Sequence, residues 1–93
     1  MGEISKLRGL GHAAEKSLNG IGIYTKEDLE NIGPVQALIR LEKECNVKPH
    51  LNFLYAMVGA LKNKSWLEIA RTERESLIYE LEGYRELEKI LNE

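Results

Sequence analysis

The sequence predicts an all-α fold, a compact bundle of five to six short helices, on three observations. Alternating apolar and polar runs of the kind that form strands are nearly absent, and helix start signals recur along the chain. The length of 93 residues is typical of one domain. Hydrophobic residues make up 43% and charged residues 30%, a mix that favours a folded domain over a disordered chain. We therefore expect a single domain over residues 1–93.

Capping and breaking residues predict where the helices begin and end. Each of three capping boxes places a hydroxyl residue three positions before an acidic one: Thr25 and Asp28, Ser65 and Glu68, Thr72 and Glu75. Gly33 and Pro34 indicate the end of one helix and the first turn of the next. Pro49 and Asn63 are further breaks. The predicted helices are residues 11–19, 25–31, 34–46, 50–62, 65–70 and 72–91.

The last two long helices differ in pattern. The helix at 50–62 is apolar on nearly all sides, so we expect it to be the buried axis against which the others pack. The last helix is amphipathic, with apolar residues at Leu77, Leu81, Tyr84, Leu87 and Leu91. Gly83 interrupts it at a cost of about 1 kcal/mol relative to alanine, which indicates a close packing contact or a kink.

The distribution of charge limits the classes of ligand. The chain has 13 Lys and Arg against 15 Asp and Glu, a net charge of −2, which argues against a dedicated, high-affinity nucleic-acid binder. Residues 1–64 carry 9 basic and 7 acidic side chains, a net +2, whereas residues 65–93 carry 4 and 8, a net −4. An anion-binding surface is therefore expected in the N-terminal two thirds.

Catalysis, metal binding and membrane insertion have little support. Cys45 is the only cysteine, and we expect it to be a small buried hydrophobe rather than a nucleophile. His12 and His50 lie too far apart in sequence for a zinc-ligand spacing, and no phosphate-binding loop or nucleophile elbow occurs. The apolar stretch 51–61 is shorter than the roughly 20 residues that a membrane helix needs. With no signal-peptide pattern at the start, we expect a cytoplasmic, non-enzymatic domain with no cofactor and no metal.

A glycine turn stands directly before the first predicted helix. Glycines allow backbone to approach an anion, and a helix N-terminus presents unpaired N–H groups, so Gly9-Leu10-Gly11 is suited to a phosphate. The nucleic-acid-binding residues of this hypothesis are Lys6, Arg8, Gly9, Gly11 and Lys16. In the alternative interpretation, Gly9 and Gly11 let two helices pack closely while Leu10 lies in the core.

The same half of the chain resembles helix-hairpin-helix DNA-binding modules. Their apolar-x-Gly-apolar-Gly turn, Ala-rich helix, Gly-Ile-x-Thr segment and acid-capped helix match residues 7–18 and 22–29. Such modules often carry a basic residue two positions after the second turn glycine, where this chain has Ala13. The resemblance implies contact with the DNA backbone, and so few cations would make that contact sequence-nonspecific, weak and steeply salt-dependent.

The middle of the chain carries a more specific resemblance. The run HLNFLYAMVGAL at residues 50–61, followed five residues later by Trp66, resembles the C-terminal domain of the TfoX/Sxy bacterial competence regulators. That family also shows the Gly-Ile-x-Thr-x-x-Asp-Leu and Ile-Gly-Pro-Val segments found here at 22–29 and 32–35. The resemblance covers about residues 5–82 and leaves a C-terminal helix extension at 83–93. Val58 departs from the family, since many relatives would have an acidic residue there.

This resemblance implies a regulatory role. Full-length relatives have a separate N-terminal domain, for which this chain has no room, and help a cAMP-receptor-type transcription factor to switch on DNA-uptake genes. A protein partner from the transcription machinery is therefore implied. We expect the four family residues to be structural. Gly59 allows close helix approach, Tyr55 and Trp66 bury large areas, and Asn52 is a buried hydrogen-bonding residue.

Two functions remain open at this point. The first is a non-enzymatic regulatory module that binds a protein partner and, weakly, the DNA backbone. The alternative is a purely protein-binding or self-associating helical domain with no nucleic-acid role. The C-terminal helix favours this alternative, because Ile90 and Leu91 extend its apolar stripe. In a homo-oligomer, a second copy of the chain would cover that stripe.

Overall fold

A computed structural model describes residues 2–44 and 50–91 of the chain, and within them it contains six α-helices, one short 3-10 helix and no strand. The elements are the 3-10 helix Ile4–Lys6, α1 His12–Asn19, α2 Lys26–Ile32, α3 Pro34–Glu44, α4 Leu51–Lys62, α5 Trp66–Thr72 and α6 Arg74–Leu91. The radius of gyration is 12.8 Å, against about 12 Å expected for a folded chain of this length. The all-α prediction is confirmed. Cys45 and Pro49 lie outside the described residues.

The capping box at Thr25 is formed as predicted. The Thr25 hydroxyl accepts a hydrogen bond from the Asp28 amide at 3.0 Å. The Asp28 carboxylate in turn accepts from the backbone amides of Tyr24 at 3.0 Å and Thr25 at 3.2 Å. The bond from Tyr24 is the main cause that lowers the pKa of the Asp28 carboxyl below its ordinary range. Gly33, at a φ of 91°, then ends α2 directly before Pro34.

The two later capping boxes have different outcomes. Ser65 caps α5, since its hydroxyl accepts a hydrogen bond from the Glu68 amide at 3.2 Å. The predicted cap at Thr72 is wrong, because Thr72 is the last residue of α5 and its hydroxyl donates back to the Glu68 carbonyl at 2.9 Å. An N-cap residue has an extended backbone, whereas Thr72 is still part of α5, so it does not stand at the start of the next helix. Glu73 separates the two helices, and α6 begins at Arg74.

The core is built around α3 and α4. Helix α4 has six buried residues, as its apolar sequence predicts. The prediction that the other helices pack against it holds for α3 and α5, the principal contacts of α4, whereas α3 contacts α1, α2, α4 and α6. The buried residues of α3 are Val35, Ala37, Leu38, Ile39 and Leu41. They occupy more than half of the helix circumference, so α3 can contact helices on several sides.

Helix α6 buries one face against α3 and leaves the other open. Leu77 and Leu81 are buried, and Arg85 pairs with Glu42 across the two helices. In the rest of the predicted apolar stripe, Tyr84 is half-buried against the core, whereas Leu87 is 51% exposed and Leu91 is 73% exposed. Gly83 has no heavy atom within 4 Å of where a Cβ would stand, and α6 continues through it. The predicted close packing at Gly83 is therefore wrong among the described residues, and the kink stays a prediction.

Candidate functional site

The glycine turn connects the 3-10 helix to α1 and sends one side chain into the core. Leu10 is 6% exposed, as the packing interpretation of the turn expects. The two glycines beside it serve other purposes than close packing, because a Cβ at Gly9 or Gly11 would meet no heavy atom of the described residues within 4 Å. Gly9 has a φ of 82°, a conformation that glycine adopts without strain. The open space leaves the backbone of the turn accessible to a ligand.

The N-terminus of α1 lies in this open region. Gly11 is its N-cap residue and offers no side-chain hydrogen bond to the first-turn amides. His12 is exposed, and so are Gly11 and Ala13. The amides at the start of a helix carry the positive end of its dipole, so this end of α1 can accept an anion.

Glu15 holds the segment before the turn against α1, and sequence reasoning missed it. Its carboxylate accepts hydrogen bonds from the backbone amides of Ser5 at 2.8 Å and Gly2 at 3.1 Å, and the residue is 7% exposed. These two bonds lower the pKa of the Glu15 carboxyl below its ordinary range, and the bond from Ser5 is the larger cause. A sequence signal did exist: Glu15 stands three positions before the buried Leu18, on the inward face of a short helix.

A second glutamate connects the same segment to α2. The Glu3 carboxylate accepts a hydrogen bond from the Lys26 backbone amide at 2.9 Å, at the first residue of α2. Glu3 and Glu15 together fix the short 3-10 helix relative to two α-helices, so the glycine turn that follows it is held in place. The same two carboxylates place negative charge near the proposed anion-binding turn.

The three cations proposed for this site are not equivalent in the structure. Lys6 and Lys16 are exposed, and neither forms an ion pair with any other residue that the structure describes. Arg8 is also exposed, but its guanidinium donates a hydrogen bond to the backbone carbonyl of Asn63 at 3.1 Å. Arg8 therefore links the glycine turn to the turn between α4 and α5.

The turn between α4 and α5 depends on Gly59. The Lys64 amide donates to the Gly59 carbonyl at 2.8 Å, and Asn63 adopts a left-handed conformation with a φ of 56°, a common way for a helix to end. This geometry brings the Lys64 carbonyl so close to Gly59 that a Cβ there would clash with it. The expectation of close approach at Gly59 is confirmed, and the approaching group is a turn rather than a helix. Tyr55, 5% exposed, lies in the core as expected.

Asn52 and Trp66 differ from their predicted environments. Asn52 is exposed because it lies in the first turn of α4, outside the core, and its backbone amide donates to the Nδ1 atom of His50 at 3.1 Å. Trp66 is 44% exposed because it is the first residue of α5, immediately after the Ser65 cap. The prediction that Asn52 is buried is wrong, and Trp66 buries only part of its large area.

These exposed residues line one groove together with the glycine turn. The groove encloses about 430 Å³. Its lining residues come from the turn, α1, α4 and α5: Gly9, Leu10, Ala14, His50, Asn52, Phe53, Ala56 and Trp66. We call it the glycine-turn groove. It brings Gly9 together with Asn52 and Trp66. The other predicted site residues do not line it: Lys6, Arg8, Gly11, Lys16 and the buried Tyr55 and Gly59.

The chemistry of the glycine-turn groove suits an apolar side chain with polar groups at its edge. Phe53 and Ala56 are half-buried, so they form a partly apolar wall. The Trp66 indole N–H and the Asn52 amide are polar groups at the same surface. Binding pockets combine such walls with a few polar groups that fix orientation. Aromatic side chains with one polar group are enriched where proteins bind each other.

Residues 2–44 and 50–91 form no metal cluster and no membrane-spanning helix. In this part of the chain, no three His, Cys, Asp or Glu side chains come together in a way that could hold a metal ion. No helix formed by the same residues has both the length and the apolar character that crossing a bilayer requires.

Comparison with known proteins gives one match. A family model described as the TfoX C-terminal domain matches residues 1–81 of the 93-residue chain. Searches of curated proteins and of solved structures found no match. The match covers the glycine turn, both glutamates that hold it, the glycine-turn groove and the first part of α6.

Proposed function

This chain belongs to the TfoX C-terminal domain family, a family of regulatory domains, and we propose that it is a non-enzymatic domain that binds a protein partner in the glycine-turn groove. By family resemblance, the partner is a component of the transcription machinery. One observation carries the proposal: the turn and two of the residues that mark the family, Asn52 and Trp66, line the same surface.

The exposure of Trp66 supports a binding role for that surface. An indole that is 44% exposed gains less from packing within its own domain than a buried one, and can bury the remaining area against a partner. Tryptophan is among the residues that contribute most to protein interfaces, particularly where neighbouring apolar groups exclude water. The Ser65 cap and Arg8, through its bond to Asn63, hold both sides of the groove in place.

Affinity capture from the native cytoplasm, with nuclease treatment, tests the protein-binding proposal. We expect the full chain to retain a protein after nuclease treatment, and Trp66→Ala to retain about tenfold less. Tyr24→Ala is the matched control, because Tyr24 is a 57% exposed aromatic outside the groove. Thermal melts of both variants establish that they are folded. Equal retention by the two variants would contradict the proposal, as would loss of the captured protein on nuclease treatment.

Contact with the DNA backbone is the second candidate, favoured by the uncapped N-terminus of α1. Gly11 contributes no cap, the space over Gly9 and Gly11 is open, and Lys16 stands within two turns of the same helix end. Two observations weaken this candidate. The negative charge of Glu15 repels an anion there, and the Arg8 guanidinium donates a hydrogen bond to the Asn63 carbonyl. Binding through so few cations is expected to be sequence-nonspecific and lost at moderate salt.

Titration of a labelled DNA duplex at low and moderate salt tests this second candidate. Removing one phosphate contact with Lys16→Glu should weaken binding and reduce the slope of log K against log salt by about one. Lys89→Glu makes the same charge change near the end of α6, away from the turn, and should leave that slope unchanged. If the wild type shows no binding at low salt, or the two variants behave alike, the glycine turn has only a structural role.

A further inference from the structure

Helix α6 presents an exposed face that no other described element covers. We call it the α6 outer face. Its residues are spaced three or four positions apart and are Ser76, Tyr79, Gly83, Leu87 and Ile90. Tyr79 is 82% exposed, Leu87 51% and Ile90 61%. The buried Leu77 and Leu81 lie on the opposite side of the helix, against α3. Three large apolar side chains therefore face outward on an 18-residue helix.

Gly83 forms a notch in the middle of this face. Apart from its chain neighbours and the backbone of α6, no described residue comes within 4 Å of where its Cβ would stand. Tyr79 and Leu87 stand one turn before and one turn after it. A shallow groove of about 440 Å³ runs past the notch between these two side chains. A missing side chain between two large ones lets another helix approach the backbone of α6 closely.

Both borders of the α6 outer face are acidic. Glu75, Glu82 and Glu86 follow one border and Glu80 the other; all four are exposed. None of them forms an ion pair within the part of the chain that the structure describes. A second copy of α6 would place carboxylates against carboxylates in either the parallel or the antiparallel orientation. The cations nearby are Lys89, on one border, and Arg71 and Arg74, which line a cavity with Glu75 and Glu82.

We propose that the α6 outer face docks a basic amphipathic helix of a partner protein. Apolar residues of that helix would pack over Gly83 between Tyr79 and Leu87, and its Lys or Arg residues would face the acidic borders. A basic amphipathic helix is complementary to both the apolar residues and the acidic borders of this face. A second copy of the chain is complementary only to the apolar residues. The docking surface shares no residue with the glycine-turn groove, so either can fail without the other.

Binding of a synthetic helix to the full chain tests this proposal. The probe is a labelled amphipathic peptide of leucine and lysine with the length of α6, 18 residues, and the control peptide replaces each lysine with glutamate. By fluorescence anisotropy at low salt, we expect the lysine peptide to bind at least about tenfold more tightly than the glutamate peptide. Gly83→Gln, which fills the notch with a good helix former, should weaken binding about tenfold.

A matched pair of charge reversals separates docking from general attraction to an acidic protein. Glu82→Lys with Glu86→Lys changes one border of the α6 outer face, and Glu27→Lys with Glu30→Lys makes the same change on exposed positions of α2. The first pair should weaken binding of the lysine peptide several-fold more than the second. Equal effects of the two pairs, no effect of Gly83→Gln, or a sedimenting dimer that Gly83→Gln dissociates would overturn the proposal.

Discussion

Two helices of this domain each carry an interior glycine, and the surroundings of the two glycines are opposite. Gly59 in α4 is buried, and a Cβ there would clash with the backbone carbonyl of Lys64. Gly83 in α6 is exposed, and a Cβ there would meet nothing. Six residues of α4 are buried, against two of the longer α6. Packing within the chain therefore explains the glycine of α4 and leaves that of α6 unexplained.

The same contrast holds between a carboxylate near the glycine turn and a carboxylate on α6. Glu15, beside the glycine turn, accepts two backbone hydrogen bonds and is almost fully buried. Glu86 on α6 is exposed and makes no ion pair in the described part of the chain. In the region of the glycine turn and α4, individual residues are fixed by specific contacts. The outward half of α6 is free of such contacts, so its composition can serve another molecule.

Replacing one leucine in α4 and one in α6 with alanine should give the largest difference in the free energy of unfolding. Leu54 in α4 is fully buried, so Leu54→Ala should lower the free energy of unfolding by about 2–5 kcal/mol through lost burial and a cavity. Leu87→Ala removes a side chain that is half exposed, and should change it by less than about 0.5 kcal/mol. Urea denaturation measures both. A large loss in Leu87→Ala would show that the outer face of α6 is covered in solution.

Alanine at the two interior glycines should change stability in opposite directions. Gly59→Ala forces the Lys64 turn to move and should destabilise the fold by about 1–3 kcal/mol. Gly83→Ala meets no neighbour and should stabilise the fold by up to about 1 kcal/mol, the difference in helix propensity. The urea midpoints of the two variants check both signs. If both shift in the same direction, the contrast between α4 and α6 fails.

Neutralising Glu15 near the glycine turn and Glu86 on α6 should give the smallest difference in stability between the two regions. This difference should depend on pH. The folded-state pKa of Glu15 is lowered, so its charge stabilises the fold above the range in which a free glutamate titrates. That stabilisation is lost as the pH falls through the lowered pKa. Glu15→Gln should therefore lower the thermal midpoint at neutral pH and converge with the wild type in acid.

Glu86→Gln is the control for this measurement, because Glu86 makes no ion pair with a described residue. Its thermal midpoint should follow that of the wild type at each pH. A Glu15→Gln variant that matches the wild type at neutral pH would show that the hydrogen bonds to Ser5 and Gly2 do not stabilise the native state.

Much of the fold could be predicted because its signals are local. The capping box at Thr25, the Gly33-Pro34 break and the Ser65 cap each depend on residues within a few positions, and they define the boundaries that the structure shows. The Thr72 box failed because a hydroxyl can bond to the preceding turn or the following one, and sequence alone does not choose between them. Family membership also followed from sequence, through the residues at 50–66 and the segments before them.

The candidate site could be predicted only in part, because exposure depends on which helix ends meet. Asn52 and Trp66 were identified by resemblance and expected to be structural, yet both line the glycine-turn groove. Each lies in the first turn of its helix, and whether a first turn faces the core depends on the packing angles of the helices. The spacing of Glu15 from Leu18 indicated its inward position, but its partners could not be predicted, because they are backbone amides 10 and 13 positions away.

The sequence by itself determined the helical class, most helix boundaries, the family and the acidic character of the last helix, because these depend on local chemistry and composition. Tertiary structure alone decided that α3 rather than α4 contacts most other helices and that Gly59 and Gly83 have opposite surroundings. It also brought Gly9 and Trp66 to one surface. The physical reason is that a residue's environment is set by contacts between elements distant in the chain, and these contacts form only when the helices pack.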